Sequence, residues 1–212
     1  GSLTTTCIIN STYNMSNNAV LNANNVIIGS VGKIQNWTGN VTLNLTGNLT
    51  IQSGGEVVGK RIYINATNVS VETGGAINLT ARGYAGGNAG NGSGPGGGGG
   101  GGISYTYGAG GGYGGIGGTT SSYAGGVTYG SSTQPIDLGS GGGGGYTSLG
   151  GAGGGAIKII VSGTAIINGS VIALNPPQPT PSPAPPALNR KYITGGNPAE
   201  VLNYQPKYLV IF

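Results

Sequence analysis

The sequence predicts an all-β protein whose scaffold is a parallel β-solenoid with one large glycine-rich insertion. Three observations predict this fold class: segments in which apolar and polar residues alternate, a repeat of about twenty residues with Gly-Gly corners, and a block that holds most of the glycines. The chain has 212 residues, including 49 glycines, eight basic and four acidic residues. Average chains contain about 7% glycine and about 25% charged residues, so both departures need a structural reason.

Alternation is clearest on either side of Gly47, between Asn40 and Ile51. Apolar residues occupy every second position there, and Asn or Thr occupies the positions between them. Because successive side chains of a strand point to opposite faces, we expect one buried face and one polar face. The predicted inward set is Val41, Leu43, Leu45, Leu49 and Ile51.

A repeat with an offset of twenty residues follows. Asn48–Val58 matches Asn68–Asn78, and Gly54 and Gly74 open the Gly-Gly pair of each copy. Glycine suits a corner where the chain needs a positive φ. One such unit cannot bury its apolar face alone, so the units must stack as the rungs of a solenoid. The alignment pairs Asn48 with Asn68, Leu49 with Val69, Ile51 with Val71, and Val57 with Ile77.

Two looser copies extend the pattern. Asn25–Ile34 resembles an earlier rung, and Gly155–Ala173 aligns Ala165 with Val69 and resumes the repeat after the insertion. An antiparallel β-sandwich, which also uses short alternating strands, is the alternative fold.

These patterns divide the chain into six segments. They are an N-terminal strand segment (1–19), solenoid rungs (20–82), a glycine- and tyrosine-rich insertion (83–155), a final rung (156–174), a proline-rich linker (175–188) and a C-terminal strand segment (189–212).

The insertion contains 35 glycines, seven tyrosines and a single charged residue, Asp137. A flexible glycine linker is one interpretation. Packed polyglycine-II helices are the other, because glycine lets such three-residue-per-turn helices approach closely and hydrogen-bond to their neighbours. Tyrosine is not a typical linker residue, and tyrosines can seal the edges of such a lattice.

The layout resembles glycine-rich surface proteins and adhesins of microbes and phages, in which a β-helix-like scaffold carries a polyglycine-II region. The resemblance is carried by Gly94–Gly102, Gly108–Gly118 and the strand return Gly153–Val161. The many glycosylation sequons of this chain distinguish it from the phage adhesins, and in this respect it looks more like archaeal surface proteins. The resemblance implies a protein of the cell exterior.

Seven prolines lie in Asn175–Leu188, which predicts an extended spacer. Thr180 and Ser182 between these prolines are candidates for O-glycosylation. The chain ends in an apolar, β-forming segment that is a candidate for pairing with the sheet edge of a neighbouring subunit or of its own solenoid. Its residues are Tyr208, Leu209, Val210, Ile211 and Phe212. The apolar N-terminus near Leu3–Ile9 is a second candidate for pairing with a neighbouring subunit.

Asparagines in the Asn-x-Ser/Thr pattern are the candidate N-glycosylation sites, and most of them fall on predicted outward positions. A bulky glycan is tolerated only on a solvent face. The alternative is that Asn and Thr form polar ladders along the sheet. The eleven acceptors are Asn10, Asn14, Asn36, Asn40, Asn44, Asn48, Asn65, Asn68, Asn78, Asn91 and Asn168.

Composition argues against several functions. The chain has no histidine, so the usual general base near neutral pH is missing. Cys7 is the single cysteine and cannot build a thiolate cluster. It is either a buried thiol or part of an intermolecular bridge. We therefore expect no catalytic site, no cofactor and no metal. The basic residues are scattered, which disfavours nucleic acid as a partner. No apolar run reaches the roughly 18 residues of a membrane span.

Acidic residues bear on an enzymatic role because parallel β-helices often carry polysaccharide-cleaving enzymes. A glycosidase needs two carboxylates about 5–10 Å apart. The repeat aligns Glu56 with Ala76 and Glu72 with Gln52, so the two glutamates occupy different columns. Asp137 and Glu200 lie in other segments. A carbohydrate-active enzyme is thus the distant alternative.

The sequence therefore predicts an extracellular, N-glycosylated structural protein that assembles with itself, head to tail, into a cell-surface filament or coat. Covalent sugars, rather than charged side chains, would then keep its surface solvated. The alternative is an adhesin whose glycine- and tyrosine-rich region binds surface glycans or other cells, since tyrosine suits contacts with sugars and proteins alike.

Overall fold

The computed structural model describes residues 6–102, 107–131 and 135–173. Three groups of predicted features lie outside these ranges: the start of the apolar N-terminal candidate (residues 3–5), the proline-rich linker with Thr180 and Ser182, and the C-terminal segment with Glu200 and the candidate linking strand Tyr208–Phe212. No helix occurs among the described residues, which confirms the all-β class. The described strands are β1 (Thr6–Ile9), β2 (Thr12–Asn14), β3 (Val20–Ala23), β4 (Asn25–Ile28), β5 (Lys33–Leu45), β6 (Asn48–Ile51), β7 (Glu56–Ala66), β8 (Asn68–Val71), β9 (Ala76–Asn78), β10 (Ala156–Val161), β11 (Ala165–Ile167) and β12 (Ser170–Ile172).

The strands stack in three sets, as a solenoid requires. The first side has the order β1-β4-β6-β8-β11, and the second has the order β2-β5-β7-β9-β12. The third side consists of β3, residues 40–45 of β5, residues 61–66 of β7, and β10. Every strand pair with a defined register is parallel, which confirms the parallel β-solenoid and excludes the antiparallel sandwich.

The rungs begin earlier than the repeat indicated. β1 pairs with β4 in parallel, so that Cys7 lies beside Val26 and Ile9 beside Ile28. The first rung is therefore β1, β2 and β3, so residues 6–19 of the predicted N-terminal strand segment pair with the solenoid rungs. Two more uninterrupted rungs follow, and the fourth is interrupted between β9 and β10 by the glycine-rich segment.

The registers predicted from the repeat are confirmed. Asn48 pairs with Asn68 and Val57 with Ile77, and beyond the insertion Ala165 pairs with Val69. The inward residues form continuous aliphatic columns from rung to rung. All five residues predicted to face inward around Gly47 are buried. Burial of these columns supplies the main stabilising term, at about 25 cal/mol per Å² of apolar surface.

The Gly-Gly corners have the predicted geometry. Gly54 and Gly74 each adopt φ of 85°. The amide of Gly55 donates to the carbonyl of Gln52 at 2.8 Å, which closes a four-residue turn with glycine at its third position. Gly55 is glycine for a second reason, because a Cβ there would lie 2.7 Å from the carbonyl oxygen of Ile28 in the rung before.

The described chain divides into two compact units. The solenoid unit comprises residues 6–78 and 157–172, and the glycine-rich unit comprises residues 79–156 together with Ala173. Where the glycine-rich unit is described, it has no regular strand before β10, and an isolated antiparallel bridge joins Asn88 to Leu149.

Backbone hydrogen bonds in the glycine-rich unit recur every three residues. Residues 139–145 and 148–154 run antiparallel and are joined by amide-to-carbonyl bonds of 2.9 Å, from Gly139 to Gly154, from Gly142 to Gly151, and from Gly145 to Ser148. A second pair runs parallel, with bonds of 3.0 Å from Gly98 to Gly141 and from Gly101 to Gly144. A β-ladder would repeat every two residues, whereas three residues per turn is the period of polyproline-II-type helices. The unit is thus a lattice of polyglycine-II-like segments, and the flexible-linker interpretation is wrong for the described residues.

Segment 139–145 lies at the centre of this lattice. Its amides point in three directions, and each direction reaches a different neighbour. One set bonds to segment 148–154, as above. The others donate from Gly141 to Ser93, from Gly144 to Gly90, and from Gly143 to Ala109, at 2.8–2.9 Å.

The lattice requires glycine because glycine has no side chain, and not because its backbone is freer than that of other residues. Among the described glycines of this unit, only Gly94 and Gly130 have a positive φ. A Cβ on Gly141 would lie 2.0 Å from the carbonyl oxygen of Ala85, and one on Gly150 would lie 2.0 Å from that of Gly142. Neighbouring segments therefore approach to distances that any side chain would prevent.

Candidate functional site

The solenoid ends in open strand edges at both of its ends. Within the described part of the chain, β1, β2 and β3 each pair on one side only, and so do β10, β11 and β12. The hydrophobic core is uncovered at the same places. Tyr13 lies in the inward column of Ile34, yet it is 48% exposed whereas Ile34 is fully buried. At the other end Ala165 is half-buried, and Val69 beneath it is buried.

The first rung lacks the features that normally protect a strand edge. Natural edge strands are guarded by charges, prolines or bulges. Residues 6–23 contain no charged residue and no proline, and the first charge in the chain is Lys33. The sequence indicated the apolar segment near Leu3–Ile9 as a candidate for contact between subunits, but not that residues 6–23 form a whole rung with open edges. The uncharged stretch before Lys33 is the signal that could have indicated this.

Apolar side chains also point outward on the terminal rungs. One outward column on the first side runs Ile8, Ile27, Thr50, Ser70, Ile166. Its two end members are the exposed ones, Ile8 at 61% and Ile166 at 42%. On the third side Val20 of the first rung is also exposed. Cys7, whose role the sequence left open, is a free thiol that points inward at this end and is half-buried.

Asparagine amides form a ladder along the third side. Nδ2 of Asn44 donates to Oδ1 of Asn22 at 3.1 Å, and Nδ2 of Asn65 donates to Oδ1 of Asn44 at 3.0 Å. The ladder alternative considered from the sequence is therefore present. It satisfies polar groups between rungs on an exposed face, where each bond contributes about 0.5–1.5 kcal/mol at most.

A second asparagine column lies at the entry to the first side. The backbone amide of Asn48 donates to Oδ1 of Asn25 at 2.8 Å. Nδ2 of Asn68 donates to Oδ1 of Asn48, and the amide of Thr164 donates to Oδ1 of Asn68, both at 2.7 Å. This column links rungs on both sides of the insertion.

The eleven sequon asparagines differ in what their amide nitrogen does, and that nitrogen is the atom to which an N-glycan is joined. Five donate from Nδ2 to a protein acceptor: Asn36, Asn44, Asn65, Asn68 and Asn78. Six donate to no acceptor in the described part of the chain: Asn10, Asn14, Asn40, Asn48, Asn91 and Asn168. Of these six, Asn40 is half-buried and the others are exposed.

Asn36 departs from the expected outward pattern because it is 6% exposed. It lies where the register of β5 on β7 shifts, between Asn36 and Asn40. Its Nδ2 donates to Oδ1 of Asn17 and to the carbonyl of Asn40, and its Oδ1 accepts from the amide of Gly39 at 2.9 Å. The side chain fills the corner of the rung. The alternating pattern of the sequence does not predict which way a side chain points where the strand register shifts.

A tyrosine and a serine tie three parts of the glycine lattice together. The amide of Gly96 donates to Oγ of Ser140 at 2.9 Å, and that hydroxyl donates to the hydroxyl of Tyr129, also at 2.9 Å. The Tyr129 hydroxyl in turn donates to the carbonyl of Leu138. Tyr113 packs edge-on against Tyr129, with ring centroids 4.9 Å apart. Burial raises the pKa of both tyrosines.

Tyrosines of the glycine-rich unit therefore serve two purposes. Tyr84, Tyr113, Tyr123 and Tyr129 are half-buried within the unit, and Tyr129 bonds to Ser140 of the central segment. Tyr107 and Tyr146 are exposed, together with Ile116, Val127 and Leu149. These exposed groups are the available surface for contacts with another molecule.

The described carboxylates are not gathered into one site. Glu56 accepts from Nζ of Lys33 at 2.6 Å and from Nδ2 of Asn78 at 3.0 Å, so it is held by the rungs on both sides of it. Glu72 and Asp137 are exposed. Over the described ranges there is no cluster of three or more His, Cys, Asp or Glu residues that would suit a metal ion, and no helix is long and apolar enough to cross a membrane.

An open groove of about 230 Å³ runs along the outer surface of the third side. Its lining includes Val20, Thr42 and Tyr63 in one outward row, and Asn44 and Asn65 of the asparagine ladder in the next. The walls of this groove are mostly apolar.

Comparison with known proteins identifies no relative. No family model matches the chain, and neither the curated proteins nor the solved structures include a significant match.

Proposed function

We propose that this chain is an extracellular, N-glycosylated structural protein that assembles with copies of itself into a cell-surface filament or coat. Its role is mechanical rather than catalytic. The observation that carries the proposal is that, among the described residues, both ends of the solenoid have open strand edges and an uncovered hydrophobic core. A contact that repeats head to tail without closing generates a filament.

Terminal strand exchange is the proposed means of linkage. Among the described residues, the third side holds four strand segments, the other two sides hold five each, and the outer edge of β10 has no partner. One more strand therefore fits there. Tyr208–Phe212 has the length and the β-forming composition for that place, and the proline-rich spacer gives it reach.

Low charge and dense sequons support the extracellular, glycosylated part of the proposal. With 6% charged residues the surface needs another source of solvation, and six sequon amides are free of protein acceptors in the described chain. Covalent glycans on these positions would supply it, and Thr180 and Ser182 are further candidates on the linker.

Electron microscopy of the full chain and of a variant lacking Leu209–Phe212 tests the proposal. We expect fibres or sheets from the full chain and soluble monomers from the truncated one, because the linking strand is gone. A variant with Thr180→Ala and Ser182→Ala keeps the strand and should assemble like the full chain. Assemblies that persist without Leu209–Phe212 would contradict strand exchange, and monomers from the full chain would contradict the whole proposal.

An adhesin is the second candidate, favoured by the exposed apolar side chains of the glycine-rich unit. Ile116 is 74% exposed and Val127 is 62% exposed, so both apolar side chains are accessible to a binding partner. Single knobs in electron micrographs, together with loss of cell binding in an Ile116→Ser and Val127→Ser variant, would favour this function over the filament.

A further inference from the structure

We infer that a second copy of this chain stacks its first rung directly on β11 and β12, so that the solenoid continues from one subunit into the next. This inference rests on the proposed self-assembly and adds the surfaces and the register of the contact. The occupant is a second copy because three strands of the first rung are open together. Tyr208–Phe212, with five residues, has the length of one strand and would cover only one of the three edges.

The two ends are chemically matched. The inward column of the first side runs Cys7, Val26, Leu49, Val69, Ala165, and a stacked copy would place its Cys7 over Ala165. In the same way Ile9 of the second copy would lie over Ile167, and Ile8 over Ile166. Each contact joins apolar groups that are more exposed at the ends than in the middle of their columns.

Electrostatics does not oppose the contact. The first rung carries no charge, and residues 156–173 carry only Lys158. Two parallel strand edges are complementary, since each presents unpaired amides and carbonyls that can hydrogen-bond to those of the other. On the third side, stacking leaves one place between β10 and β3 of the second copy, which is the place proposed above for Tyr208–Phe212.

A cysteine pair tests the register. Within one copy Cys7 and Ala165 are four rungs apart, or about 19 Å at about 4.8 Å per rung. That separation is far beyond the roughly 7 Å limit for a disulfide. In the full chain, Ala165→Cys should therefore give chains of disulfide-linked subunits under mild oxidation, or after treatment with a short bis-maleimide. Ile166→Cys is the matched control, because it lies on the same strand but faces outward, away from the Cys7 column.

The unmodified chain supplies a second readout. Maleimide labelling of Cys7 should occur in dissociated protein and be lost in assembled protein, because Ala165 of the neighbour covers the thiol. Assemblies in which Cys7 stays reactive and Ala165→Cys forms no link would overturn the stacking while leaving the proposed function intact. Protein that stays monomeric by sedimentation would overturn both.

Discussion

Gly143 faces Gly99 so closely that a methyl group on Gly143 would lie 2.0 Å from the carbonyl oxygen of Gly99. The contact lies in the central segment of the glycine lattice, where neither backbone can move without breaking its own hydrogen bonds. We expect Gly143→Ala to destabilise the glycine-rich unit by about 3 kcal/mol or more, at the upper end of overpacking costs. Thermal unfolding followed by calorimetry measures the loss.

Gly114→Ala is the control for this substitution. A Cβ on Gly114 would meet no atom within 4 Å, and its φ is not positive. The alanine should leave stability unchanged or raise it by up to about 1 kcal/mol through the unfolded state. Equal losses from both variants would show that the lattice does not depend on close packing.

Tyr129→Phe should destabilise the same unit through lost hydrogen bonds. The substitution leaves the carbonyl of Leu138 and the hydroxyl of Ser140 without their partner, at a cost of about 1–3 kcal/mol. Denaturant unfolding gives the difference. Tyr146→Phe, at an exposed position, should stay within about 0.5 kcal/mol of the unaltered chain. If the two variants are equally stable, the network contributes nothing.

Alkaline pH should weaken the glycine-rich unit. Burial raises the pKa of Tyr113 and of Tyr129 above 10, so the unfolded chain loses these protons first as pH rises. Stability is then complete below about pH 10 and falls as pH rises from there through the folded pKa values. Ultraviolet titration should show late-ionising tyrosines whose number falls in Tyr113→Phe and Tyr129→Phe. The absence of a late component would contradict the burial of these rings.

Glycan occupancy should follow the hydrogen bonding of the amide nitrogens. A glycan replaces one of the two hydrogens on Nδ2, which disfavours the asparagines that use this atom in ladders or corners. Peptide mapping of the native protein should find sugar on Asn10, Asn14, Asn91 and Asn168 more often than on Asn36, Asn65 or Asn68. An unmodified intact mass of 20.6 kDa would contradict glycosylation altogether.

Much of the solenoid could be predicted because its repeat carries position-specific residues. Gly54 and Gly74 mark equivalent corners, and the pairing of Val57 with Ile77 follows from their alignment. The first rung was not recognised, since it has no Gly-Gly corner to align. Its place is decided by strand pairing, which brings Cys7 beside Val26.

The glycine lattice shows the limit of prediction from sequence. Three-residue periodicity could be suspected from composition, but chemically identical glycines carry no information about which segments are neighbours. That Gly143 bonds to Ala109 while Gly142 bonds to Gly151 is determined by the path of the whole chain. Ser140, which anchors Tyr129, is one of many serines in the sequence and carried no distinguishing signal.

Electron cryomicroscopy of the assembled 212-residue chain tests most directly whether subunits join into a continuous solenoid. Stacked subunits with five rungs predict filaments with a rung spacing of about 4.8 Å and an axial rise of about 24 Å per subunit. Filaments with a different rise, in which solenoids lie side by side, would contradict stacking. Isolated particles at high protein concentration would contradict self-assembly itself.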